Sequence, residues 1–131
     1  MSFLTACALA VCVLYFPMDF NATIQKNGFL QEGEQFAIVK TFDEFSARNE
    51  FGELDFTASF FEKNNLVFAL VDQGSGNVRY SVESVEIKDG VLTATVKKDA
   101  PFIMTMDFVS WVLVLEIDKV HKFTDVKINL I

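Results

Sequence analysis

Asp89-Gly90 stands between two runs of alternating apolar and polar residues, and no other feature of the chain constrains its fold as tightly. A two-residue connection of this composition suits a type I′ turn, whose central residues both take positive φ and which joins antiparallel strands. Placing Lys88 opposite Val91 pairs Ile87 with Leu92, Glu86 with Thr93, Val85 with Ala94 and Ser84 with Thr95, so apolar pairs share one face. Upstream, Val78, Tyr80 and Val82 alternate with Arg79, Ser81 and Glu83, and the apolar phase slips by one residue at Ser84. A β-bulge produces such a slip.

Residues 66–71, Leu-Val-Phe-Ala-Leu-Val, form a continuous apolar run between turn residues, which predicts a central strand covered on both faces. Residues 111–117 predict a second near-continuous strand and residues 36–40 a short one. Val126, Ile128 and Leu130 alternate with polar residues, as in an outer strand. Pro101 ends the ladder of the hairpin because it has no N–H to donate, and residues 102–108 fit either a loop or a short strand. Thr41-Phe42-Asp43-Glu44 has the form of a capping box; it predicts a helix from Phe42 that holds Phe42 and Phe45 on one face and stops near Gly52. Asp55 is expected to cap a second helical turn through Phe60, Phe61 and Glu62, broken at Asn64-Asn65.

With 131 residues, 51% of them hydrophobic and 15 of them Phe, the chain can bury the core of one domain. The expected fold is α+β: mostly antiparallel β-sheet, as a partly open barrel or sandwich, with one packed helix and an apolar N-terminal helix. Residues 3–16 carry no charge, and the first basic residue of the chain is Lys26. Such a run suits a secretory or anchoring segment and is short for a full membrane span. Its lack of a polar stripe argues against a helix buried on one face, although a buried helix stays open as the alternative. Leu4-Thr5-Ala6-Cys7 also has the form of a bacterial lipoprotein box. Residues 1–18 are therefore read as a signal or anchor segment, 19–35, with Gly28 and Gly33, as a tether, and 36–131 as the domain. A chain starting near Gln35 is expected to fold alone. The expected location is outside the cytoplasm, membrane-anchored or secreted.

A net charge of -7 with 11 scattered basic residues disfavours nucleic acid as a partner. Cys7 and Cys12 both lie in the apolar segment, so the domain has neither a disulfide framework nor zinc spacing. His121, the lone histidine, sits between Lys119 and Lys122 in a polar stretch and reads as a surface residue. No G-x-S-x-G elbow, H-E-x-x-H helix or Asp-rich calcium loop occurs, and no P-loop lysine follows Gly74-Ser75-Gly76. No catalytic residue, metal or cofactor is expected. Asp99, Asp107, Glu116 and Asp118, near strand ends, keep a small carboxylate-pair hydrolase as the alternative, beside a purely structural lipoprotein domain. Trp111 reads as core before ligand platform, and Arg79 as the partner of a neighbouring acid before a binding residue.

One pattern spans most of the domain: Phe60-Phe61-Glu62, Asn64-Asn65-Leu66-Val67, Gly74-Ser75-Gly76, Arg79, Val82-x-Ser84-Val85, Gly90-x-Leu92-Thr93, Pro101, Thr105, Asp107, Trp111 and Glu116-x-x-Lys119. It resembles a group of small exported or lipid-anchored bacterial proteins that is similar to the C-terminal domain of PrcB, a subunit that stabilises a cell-surface protease complex. The resemblance implies a β-rich, non-catalytic accessory domain outside the cytoplasm; the expected partner is an exported protein, and the membrane is met through the N-terminal segment. Arg79, Gly74, Ser75, Gly76, Asp107 and Trp111 are the residues singled out for interaction.

Overall fold

In a computed structural model, which describes residues 20–26, 29–49 and 53–131, Asp89 and Gly90 take φ of 53° and 78°. Both are positive, as a type I′ turn requires. The strands on either side, β4 (Arg79–Lys88) and β5 (Val91–Asp99), pair antiparallel from Lys88 with Val91 to Ser84 with Thr95, and the register shifts between Val82 and Ser84. The bulge at Glu83 keeps Tyr80 and Val82 on the same core as Val85 and Ile87.

Five further strands complete two sheets: β1 (Phe20–Lys26), β2 (Phe36–Val39), β3 (Asn64–Gly74), β6 (Val109–Asp118) and β7 (Asp125–Leu130). Their orders are β1-β6-β3-β2 and β4-β5-β7, with no closed barrel among the described residues. All pairings are antiparallel but that of β5 with β7. Between these two the chain visits the other sheet as β6, so it returns to β5 running in the same direction.

The long apolar runs are explained by the layering. Val67, Ala69, Leu113, Leu115 and Ile117 face the second sheet, where they meet Val85, Leu92, Ala94 and Val96. Leu66, Phe68, Val112 and Val114 face the opposite way, into a core with Phe29, Phe45 and Phe61. That outer core is roofed by α1 (Phe42–Arg48) and the one-turn α2 (Phe60–Lys63). The four-stranded sheet is thus covered on both faces at β3 and β6, and alternation is lost there. Phe68, Leu66, Leu113 and Leu115 are among the fully buried side chains; each contributes about 1.5–3 kcal/mol of transfer free energy.

Val71 is a second bulge, since the β3–β6 register shifts between Leu70 and Asp72. Beyond it Asp72 turns toward the second sheet, where its Oδ2 accepts from the Tyr80 hydroxyl at 2.8 Å and from Lys98 Nζ at 3.0 Å. Burial opposes the charge on Asp72, but the bonds from Lys98, Tyr80 and the Gln73 amide outweigh it and hold the carboxyl below its ordinary range. Burial first, and then the bond to Asp72, push the Tyr80 hydroxyl upward.

Several expectations need correction. The supposed tether contains β1, which pairs with β6 over its whole length, from Phe20 with Ile117 to Lys26 with Trp111. After it, Phe29 stacks on Phe68 at 5.1 Å, and Arg48 donates to the Phe29 carbonyl at 2.9 Å and to both Glu34 carboxylate oxygens. Ordered structure therefore begins well before Phe36, and a chain starting at Gln35 would lack a strand and a core ring. Thr41 caps α1 as expected, accepting from the Glu44 amide at 3.2 Å, but Glu44 reaches back to the Lys40 amide, one residue further than a capping box requires. The helix stops at Arg48 with Asn49 as its C-cap. At α2 the N-cap is Ser59 and not Asp55. The apolar N-terminal helix, the lipoprotein box and both cysteines lie outside the described residues, as does Gly52.

Candidate binding surface

Two connections cross between the sheets at the same end of the sandwich. Residues 75–78 carry the chain from β3 to β4, and residues 100–108 carry it back from β5 to β6. They hold one another through polar groups. The Ser75 hydroxyl lies 2.6 Å from Asn77 Oδ1 and 2.7 Å from Thr105 Oγ1. Asn77 accepts from the Thr105 amide at 3.1 Å and donates to the Ile103 carbonyl at 3.0 Å. Asp107 Oδ1 accepts from the Gly76 amide at 3.1 Å and from the Thr105 hydroxyl. These bonds, that from Thr105 first and that from Gly76 second, hold the Asp107 carboxyl below its usual range.

Glycine is required at position 76 by this contact. A Cβ there would stand 2.2 Å from Asp107 Oδ2, so any side chain evicts the carboxylate. At Gly74, by contrast, a Cβ meets nothing within 4 Å.

While its polar residues bond to residues 75–77, the 100–108 loop leaves its apolar ones in solvent. Phe102 and Met106 are 103% and 101% exposed, and Ile103, Met104 and Phe108 stand in solvent beside them. Exposed apolar residues scattered singly are ordinary, but here five fall within one short loop. The fold offers them no burial, since both faces of the four-stranded sheet are already filled. What the clasp supplies is shape: a sticky loop without internal bonds would collapse onto the nearest apolar surface, whereas this one is held off it.

Beside the loop, Trp111 is buried, donates from its indole N–H to the Ser75 carbonyl at 3.2 Å, and packs on Tyr80 at 5.1 Å. Lys26 Nζ lies 5.5 Å from its ring centroid, within cation–π range. Val78, Arg79, Tyr80, Ser81, Asp99 and Trp111 line an open recess of about 430 Å³. Arg79 stands opposite Asp99 in the ladder, and among the described residues it forms no ion pair.

Of the residues singled out from sequence, Ser75, Gly76, Asp107 and Trp111 are brought into one hydrogen-bonded unit, with Gly74 adjoining it and Arg79 on the far flank of Trp111. Sequence reasoning missed Asn77 and the five exposed apolar residues. Their signal was present: an apolar stretch after Pro101 that neither alternates nor ends in a strand. Asp99 and Asp107 belong to this end of the sandwich, while Glu116 and Asp118 lie at the other end of β6, where Glu116 accepts from Asn21 at 2.8 Å. No group of three or more His, Cys, Asp or Glu side chains suited to a metal occurs among the described residues. No family model, no curated protein and no solved structure matches the chain.

Proposed function

We propose that this protein is a non-catalytic extracytoplasmic binding module that docks through its 100–108 loop into an apolar recess of an exported protein and stabilises a surface complex, as PrcB-like domains do. The observation that supports this reading most is a group of exposed large apolar side chains on a loop already fixed by the Ser75-Gly76-Asn77 clasp. Preorganisation lowers the entropy lost on binding, so such a loop binds more tightly than a flexible one of the same composition. Arg79, free of an ion pair among the described residues, suits an acidic group at the rim of the partner's recess.

Topology bears on which partner the loop meets. β1 enters at Phe20, beside Ile117, whereas the loop leads into Val109 at the opposite end of β6, about 25 Å away at ~3.3 Å per residue. If residues 1–18 hold the chain to a membrane, the loop points away from that membrane and toward other surface proteins. A net charge of -7 also weakens attraction to anionic lipid.

Photo-cross-linking from position 103 on intact cells tests the reading. It should capture one exported protein, and Phe102→Ser with Met106→Ser should cut capture by about tenfold or more, because each side chain carries about 1.5–3 kcal/mol of burial. Arg79→Glu should weaken capture without lowering the unfolding temperature. Capture unchanged by the double substitution, or the loop binding neutral phosphatidylcholine vesicles instead, contradicts the proposal.

A further inference from the structure

The chain has four methionines, and the two among the described residues, Met104 and Met106, both stand on the exposed loop. The cores are built from Phe, Leu, Ile, Val and Ala with one Trp, and neither contains methionine. Methionine therefore occurs, among the described residues, only where solvent reaches it. Thr105 between the two is fixed by the hydrogen bond its backbone N–H donates to Asn77 Oδ1 and by the hydrogen bonds of its hydroxyl with Ser75 and Asp107. The two methionines thus flank one anchored residue, and neither belongs to a core.

We propose that Met104 and Met106 are a modification site at which a hydroperoxide switches off the contact surface; this rests on the loop's being the binding surface. Each thioether sulfur attacks the peroxide oxygen, the O–O bond breaks, and the sulfur gains one oxygen and loses two electrons while hydrogen peroxide leaves as water. The sulfoxide is polar and accepts hydrogen bonds, so it resists transfer into an apolar recess. Selectivity follows from burial. No cysteine lies among the described residues to compete for the oxidant, and Trp111 is buried. Because the clasp uses only backbone, Ser, Asn, Thr and Asp groups, oxidation changes the chemistry of the loop and leaves its scaffold intact.

The test treats the purified full chain with hydrogen peroxide, removes the peroxide, and compares treated with untreated protein. Mass mapping should find about 16 Da added at each of Met104 and Met106, with Met106, which stands wholly in solvent, reacting at the rate of free methionine. The unfolding temperature should stay the same, and cross-linked capture on cells should fall by about tenfold or more. A chain carrying Met104→Leu and Met106→Leu, whatever its untreated capture, should lose none of it on treatment. Slow oxidation, unfolding on oxidation, or undiminished capture by the doubly oxidised chain overturns the site, as does equal peroxide loss in the leucine chain. If the untreated chain captures nothing, the binding-surface reading has failed and the site falls with it, a result distinct from intact capture that peroxide leaves unchanged.

Discussion

At Gly76 a hydrogen in place of a methyl group decides whether the 100–108 loop keeps its shape, because the Asp107 carboxylate occupies the space a side chain would need. Gly76→Ala should therefore release Asp107, loosen the loop and cost about 1 kcal/mol or less of global stability, since no core residue moves. Emission from Trp111, whose indole is tied to the Ser75 carbonyl, should shift to the red in the folded variant; an unshifted spectrum would show the clasp to be unaffected. Gly90 is needed for a different reason. Its φ of 78° strains any side chain, and a Cβ there touches only Thr124 Oγ1 at 3.9 Å, so the cost is conformational and not steric. Gly90→Val should lower stability by about 1–2 kcal/mol in thermal unfolding. The two glycines were unequally legible. Asp89-Gly90 announces itself through its own dipeptide and flanking alternation, whereas the need at Gly76 comes from a residue more than thirty positions away, and its local sequence reads only as a turn.

Among the elements, the hairpin, the Glu83 bulge, β3 and β6 could be read in advance because each is specified by its own pattern or by immediate neighbours. β1 could not. Its inward residues are only Ala22 and Ile24, while Asn21, Thr23 and Gln25 face away from the core at an edge, and its partner is β6, far along the chain. A half-solvated edge strand looks like a tether when its pairing is long-range. The consequence is testable: a chain beginning at Asp19 should unfold cooperatively, whereas one beginning at Gln35 should aggregate or show no cooperative transition, having lost β1 and the Phe29 ring that stacks on Phe68. Equal cooperativity in the two would return residues 20–34 to the status of a tether. The loop between β5 and β6 was hidden for the opposite reason. Apolar side chains ordinarily predict burial, and here both cores are already filled by other residues.

At the scale of the whole molecule, three carboxylates among the described residues tie separate parts together, and each is held below its ordinary pKa. Glu34, through Arg48, pins the segment before β2 to α1; Asp72 links the two sheets; Asp107 closes the clasp. With folded pKa values below unfolded ones, their contribution is complete above the ordinary carboxylate range and is lost as pH falls through the depressed folded values. Stability should therefore decline below about pH 4, and Asp72→Asn should flatten that decline in acid titrations followed by circular dichroism. The central claim is that the exposed apolar loop is preformed by its clasp before any partner arrives, and amide hydrogen exchange on the folded protein tests it most directly. The Thr105 and Gly76 amides, which donate to Asn77 and Asp107, should exchange at least about tenfold more slowly than the unstructured rate, while the Phe102 and Met106 amides beside them exchange freely. Exchange of Thr105 and Gly76 at the unstructured rate would mean that no clasp exists in solution, and the loop would not be a preformed surface.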